Sequence, residues 1–219
     1  MFEANKVKKI PIEVGQHLIT IESEHYDGVS EDHVIDAAEA GKNYLLLVNG
    51  LKQKEQDAIQ EENTKEIDML LCKGKECYSN GDYESAFNMF KQAAEHGNAE
   101  AQYNLGKMYQ WGRGVERDDA EATRWYRKAA DQGHANAQDN LGWMYQNGLG
   151  VEQNYIEAVS WYRKAADQGH ANAQNNMGWM YQNGLGVTQD ETEAVKWYRL
   201  AAKQGNTYAQ NNLKKLTEK

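Results

Sequence analysis

The segment 125–151 is repeated 36 residues further on, as 161–187, with two changes: Asp139 becomes Asn175 and Leu141 becomes Met177. A fixed period of this length marks a solenoid. Each unit is too small to bury its own apolar face and must stack on its neighbours. Such chains present long, regular binding surfaces, and nothing in this repeated unit supplies chemistry.

The register is set by Gly97, Gly133, Gly169 and Gly205, each 36 residues from the next. Each follows an apolar-periodic segment ending in Ala-Ala, where a glycine in the left-handed conformation closes a helix C-terminus. The start of the same helix is legible too. Asp118, Asn154 and Asp190 occupy the N-cap position, with Glu121, Glu157 and Glu193 three residues on. That is a capping-box arrangement, three times over. Each unit therefore ends in a helix B of about four turns.

A helix A precedes it, as in 135–146, where Ala137, Leu141, Met144 and Tyr145 share one face of a 3.6-residue period. Gly142 beside Leu141 predicts close approach of a neighbouring helix. Gly148-Leu149-Gly150-Val151, matched at 112–115 and 184–187, predicts a tight A-to-B connection with the valine folded back over the core.

One unit reads Ala101, Leu105, Gly106, Tyr109, Gly112, Gly114, Val115, Ala122, Trp125, Tyr126, Ala129, Ala130, Gly133. Two more copies follow, with Met177 in place of the helix A leucine in the last. This pattern resembles the Sel-one-like repeat (SLR) family, relatives of the tetratricopeptide repeats, over about residues 66–219. The resemblance implies a mainly α fold: a right-handed α-solenoid of antiparallel helix pairs that acts as an adaptor or scaffold in a complex. Gly74, Gly81-Asp82-Tyr83, Ala86, Phe90 and Ala93-Ala94 read as a first repeat short of about four loop residues. After Gly205 one helix A remains, a polar and basic solenoid end with Lys214, Lys215 and Lys219.

Residues 1–60 carry no repeat and form a separate, small α+β element; 61–219 form the solenoid with its terminal capping helix. Ile10, Ile12 and Val14 alternate, as do Ile19 and Ile21 beyond Gly15-Gln16, which predicts a short hairpin. Ser30 is placed to cap a helix through Ala40 that closes at Gly41. Tyr44–Val48 reads as a strand meeting the turn Asn49-Gly50, and 52–66 as a polar linking helix.

Composition narrows the setting. The formal charge is −9, of which residues 1–70 carry −8. An acidic first third argues against nucleic acid, whose affinity rests on Lys and Arg against phosphates. No apolar run approaches the roughly 20 residues of a membrane span, and no secretory signal opens the sequence. Cys72 and Cys77, five apart on different helix faces, are badly placed for a disulfide, which points to a reducing, cytoplasmic compartment.

The six tryptophans fall into two sets. Trp125, Trp161 and Trp197 follow the helix B alanine by three, and the resemblance places them in the core. Trp111, Trp143 and Trp179 are the other set, Trp143 and Trp179 following the helix A Leu or Met by two. The resemblance to tetratricopeptide repeats implies a concave groove lined by Glu100, Tyr103, Lys107, Gln110 and Trp111, then Asn136, Asp139, Trp143, Gln146 and Asn147, then Asn172, Asn175, Trp179, Gln182 and Asn183. Aromatics among amides have the composition of an interface hot spot, although covering a neighbouring helix is the competing role.

His134 and His170 lie one period apart, too far for one metal if two packed helices separate them, so polar contacts at helix ends are their expected role. The Gly-x-Gly-Val loops lack the Lys-Ser/Thr of a phosphate cradle, and no hydrolase or zinc-protease motif occurs. The expected activity is therefore non-enzymatic, without cofactor or metal: a module holding a protein or peptide partner in the groove. The alternative is a bacterial immunity or antitoxin protein that occludes a cognate toxin.

Overall fold

The structure, a computed structural model, describes the backbone of residues 8–14, 17–23 and 37–217, and the side chains of Lys54 and residues 56–216. Two compact units divide the chain, Met1–Asn63 and Thr64–Lys219.

In the first unit β1 (Lys8–Val14) pairs antiparallel with β2 (His17–Ser23), Ile10 opposite Ile21 and Ile12 opposite Ile19. The expected helix start at Ser30 lies outside the described residues. Its expected stop is corrected: α1 (Ala37–Ser79) runs through Gly41, through Tyr44–Val48 and through Asn49-Gly50. Tyr44–Val48 is thus helical, not a strand. A short apolar run has no period of its own, and Leu45, Leu46 and Leu47 are strong helix formers, so the surrounding helix decides.

The second unit continues with α2 (Tyr83–Glu95), α3 (Ala99–Trp111), α4 (Asp119–Asp131), α5 (Ala135–Asn147), α6 (Tyr155–Asp167), α7 (Ala171–Asn183), α8 (Glu191–Lys203) and α9 (Thr207–Thr217). It is an α-solenoid of helix hairpins, each helix packed on the next in sequence. The end of α1 and α2 form the first hairpin, with Asp82 capping α2 by accepting from the Ser85 N–H at 3.1 Å.

The helix B ends are built as their residues dictate. Gly133 has φ +88°, and its N–H donates to Ala130 O at 2.9 Å while that of His134 donates to Ala129 O at 3.1 Å. The Ala-Ala pair therefore supplies both carbonyls of a Schellman closure. The same pair of bonds recurs at Gly97, Gly169 and Gly205. At the other end Asp118 accepts from Ala120 and Glu121 N–H, Asn154 from Ile156 and Glu157, and Asp190 from Thr192 and Glu193. Only half of the expected capping box forms. The cap residues' own N–H groups donate to Tyr109, Tyr145 and Tyr181 carbonyls, each at 3.0 Å, so the glutamates are not needed there. Glu121 and Glu193 pair instead with Arg124 and Lys196.

Each apolar cluster straddles a junction between units. Ala122, Tyr126, Ala129 and Ala130 of α4 pack with Ala137, Leu141 and Met144 of α5 and with Trp161 of α6. The fully buried large ring of helix B is a tyrosine, at 126, 162 and 198, with Phe90 in the first hairpin. It lies on the helix A glycine of its own hairpin: a Cβ on Gly142 would stand 2.7 Å from Tyr162 Cδ1. The tryptophan beside it reaches across the junction. Trp161 is 5% exposed, but Trp125 and Trp197 are only partly buried, which corrects their expected place in the core. Lysine covers the rings from outside, with Lys164 Nζ 3.6 Å from the Trp161 centroid and Lys128 Nζ 3.8 Å from that of Trp125.

A polar ladder joins successive units. The buried Gln102, Gln138 and Gln174 each donate to the last carbonyl turn of the preceding helix B, at Ala94, Ala130 and Ala166. Each also accepts from the next unit's Gln132, Gln168 or Gln204, at 2.7–2.8 Å. Both polar atoms of each buried glutamine therefore have a partner, which is what a buried amide requires. α9 keeps the register, with Ala209 buried like Ala173 and Gln210 donating to Ala202 O. It departs at Lys214, which stands where the ring-bearing Gly178 stands one period earlier.

Candidate interaction groove

The glycine that receives the helix B ring aligns every helix A. Gly74 meets Phe90 as Gly106 meets Tyr126, Gly142 meets Tyr162 and Gly178 meets Tyr198. The next residue along each helix is Lys75, Lys107, Trp143 and Trp179, and in α9 the same position is Lys215. Equivalent positions of stacked hairpins form a row, so two cations lead into two indoles and a third cation follows. Trp143 is 40% exposed and Trp179 36%; Trp111, one turn beyond Lys107, is 63% exposed. These are large apolar surfaces left open on a face whose other members are polar. The shorter first turn shifts Lys75 out of the 36-residue register and hides it in the sequence. Lys215 is one period beyond Trp179 and was open to arithmetic.

The amides expected to line the groove, and Asp139, are each engaged in an internal hydrogen bond. Gln146 accepts from the Tyr162 hydroxyl at 2.8 Å and Gln182 from Tyr198 at 2.7 Å, as the buried Gln110 does from Tyr126 at 2.6 Å. Asn147 and Asn183 donate to the Trp143 and Trp179 carbonyls, both at 2.8 Å. Asn175 accepts from Asn212 at 3.2 Å. Asp139, in the same position as Asn175, is buried and accepts from Asn176 at 2.9 Å. Burial pushes its carboxyl up to about 6, against the pull of the Asn176 bond.

Around Lys107 the surface is aromatic and cationic. Its Nζ lies 5.5 Å from the Tyr78 centroid and 5.4 Å from that of Tyr103, and Arg113 Cζ lies 5.3 Å from Tyr78. The Arg113 guanidinium also donates to the Tyr78 hydroxyl. Tyr103 in turn stacks on His134 at 4.8 Å. Burial, with Arg113 nearby, lowers the Lys107 pKa. Lys75 is paired with Glu100 at 3.2 Å. Among the described residues no carboxylate lies within ion-pair distance of Lys107 or Arg113.

His134 and His170 are helix N-caps. Nδ1 of each accepts from the Ala137 or Ala173 N–H, and Nε2 faces Glu100 Oε2 at 2.9 Å or Asn136 Oδ1 at 2.8 Å. Accepting at Nδ1 requires its lone pair, so each ring carries its proton on Nε2. Asn98 and Asn206 hold the same place in other units. Open clefts of about 540 and 390 Å³ flank Arg127, but its guanidinium is already held by the Tyr145 hydroxyl and lies over the Trp161 ring.

Comparison with known proteins agrees with this geometry. The Sel1 repeat family model matches residues 69–98, 99–134, 135–170 and 171–206. A Sel1 repeat protein from Oxalobacter formigenes is 41% identical, with a TM-score of 0.62 over 66% of this chain and 57% of its own. A protective antigen of uropathogenic Escherichia coli strains that displays an SLR fold is 38% identical, with a TM-score of 0.64 over 69% of this chain and 33% of its own. The DAP3-binding cell death enhancer 1 of Rattus norvegicus is 45% identical over 49 residues, 22% of this chain and 10% of that protein. The chain thus spans a tenth of that curated relative and about half or less of these two solved structures. Four consecutive matches, with the ring-on-glycine contact repeated in every hairpin, place the chain in the Sel1 repeat family.

Proposed function

We propose that this chain is a non-enzymatic interaction module that holds a partner protein or peptide along its helix A row, as an adaptor or scaffold. The observation that carries the reading is the pair Trp143 and Trp179: identical rings at equivalent positions of successive hairpins, each more than a third exposed. The amides around them each make an internal hydrogen bond, and the ring faces are the apolar surface the groove offers outward. Exposed, rigidly held tryptophans are typical interface anchors. Sel1 repeats act generally as interaction modules, which supports the same reading. Among the described residues no helix is long and apolar enough to cross a membrane. Cys72 and Cys77 are free thiols, and we place the module in a reducing, cytoplasmic setting.

The test is quantitative affinity capture from the native host with the wild-type chain and a Trp143→Ala/Trp179→Ala double variant of equal thermal stability. Proteins retained by the first and lost by the second are the expected outcome. An unchanged set of retained proteins would overturn the groove as the binding face.

A further inference from the structure

We infer that the segment held in this groove is an acidic peptide stretch with an apolar anchor: bulky apolar side chains for Trp143 and Trp179, flanked by carboxylates that meet Lys107 on one side and Lys215 on the other. The inference rests on the groove reading above and adds the partner's chemistry. Its basis is the charge pattern of one row. Lys75, Lys107, Trp143, Trp179 and Lys215 occupy a single structural position, and none of the five is acidic. The carboxylates nearby are not free to compensate. Glu100 is held by Lys75 and His134, and Asp139 is buried against Asn176.

Lys107 is the focus. Its ammonium sits over two tyrosine rings, Tyr78 and Tyr103, and the first of these rings also carries Arg113. Ring faces offer a cation only modest attraction. Two cations on one ring, with Glu100 nearby but already held by Lys75 and His134 and no described carboxylate within ion-pair distance, leave a positive potential that an incoming carboxylate would meet. A charge-assisted hydrogen bond to that carboxylate is about twice as strong as a neutral one. The Trp pair lies beyond it on the next two hairpins, where Gln146, Asn147, Gln182 and Asn183 each make an internal hydrogen bond and the exposed rings offer apolar contact. A basic or neutral peptide would leave the cationic end of the row unmatched.

The probe is a random dodecapeptide phage library selected on the full chain, followed by titration of the synthesised winners. We expect winners that lose binding to Trp143→Ala/Trp179→Ala, and whose aromatic or leucine anchor is bordered by Asp or Glu. Their affinity should fall about tenfold in Lys107→Gln/Lys215→Gln and be largely kept in Lys107→Arg. Circular dichroism melts of each variant establish that it is folded. Winners that depend on the tryptophans but show no acidic enrichment, or ignore Lys107→Gln/Lys215→Gln, would overturn the acidic assignment and leave the groove reading standing. Winners indifferent to the tryptophans, or no winners at all, would overturn the groove reading and this inference with it.

Discussion

Tyr162 lays its ring on the bare backbone of Gly142, 2.7 Å from where a Cβ would begin, and anchors its hydroxyl on Gln146 one turn further along the same helix. Ring, hydrogen bond and glycine fix the spacing of the α5/α6 hairpin together. Two effects oppose each other in Gly142→Ala. Alanine is favoured over glycine in a helix interior by about 1 kcal/mol. Overpacking a closed contact costs about 1–3 kcal/mol, and Tyr162 is fully buried with no room to withdraw. The clash wins, and Gly142→Ala should be less stable in urea unfolding by roughly 1–2 kcal/mol. A stability gain would mean that the hairpin opens without penalty.

Trp161→Ala removes a ring that closes the junction between two units and should cost roughly 3–5 kcal/mol. Trp143→Ala and Trp179→Ala remove rings more than a third exposed and should leave the melting temperature nearly unchanged. In a titration with any groove ligand the order reverses, each groove variant losing about 2 kcal/mol or more. Groove variants that melt as early as Trp161→Ala would show that both sets are packing.

His170 should make the fold sensitive to acid. Burial, with His134 nearby, lowers its pKa, and its cap needs the neutral ring. A histidine with a depressed folded pKa contributes stability that is complete above the unfolded value, about 6.5, and is lost as pH falls through the folded value. His170→Asn keeps the cap, as Asn206 does one period later, and does not titrate. Its melting temperature should therefore match the wild type at pH 8 and exceed it at pH 5. Parallel curves across that range would exclude the linkage.

Asp139 has the opposite sign. Its pKa is raised from the usual carboxylate range to about 6, so the folded state prefers the neutral acid and loses stability as pH rises from about 4 through 6. Asp139→Asn copies Asn175 and preserves the acceptor for Asn176. It should stabilise the chain at pH 7.5 by up to about 3 kcal/mol and make little difference at pH 4. A destabilised variant at pH 7.5 would overturn the raised carboxyl and show that the fold favours the ionised form.

The period, the glycine stops and the N-caps were legible because each is a local device with a fixed residue type. What the sequence did not reveal depends on neighbours. Glu121 fits a capping box in sequence, but the cap N–H of Asp118 turns to the carbonyl of Tyr109 in the preceding helix. Trp125 and Tyr126 are adjacent and both aromatic; only the glycine opposite decides that the tyrosine goes inward. Gln146 and Gln182 look like open groove amides until the tyrosine hydroxyls 16 residues later are seen to claim their oxygens. Tyr44–Val48 failed for another reason, since five apolar residues carry no periodicity to choose helix over strand.

The glutamine ladder has a consequence for how such a chain changes length. Gln138 receives from Gln168 and gives to Ala130, and Gln174 does the same with Gln204 and Ala166, so both faces of a unit are interchangeable plugs and sockets. A copy of 135–170 spliced in at its own boundary finds the partners it left, which makes the interior the easy place to lengthen. The α9 end is different, because Lys214 occupies the socket that a further tyrosine would need. Because 135–170 carries Trp143, growth in whole units from within adds one ring to the row per insertion, so the run of anchors lengthens in step with the ligand it can hold.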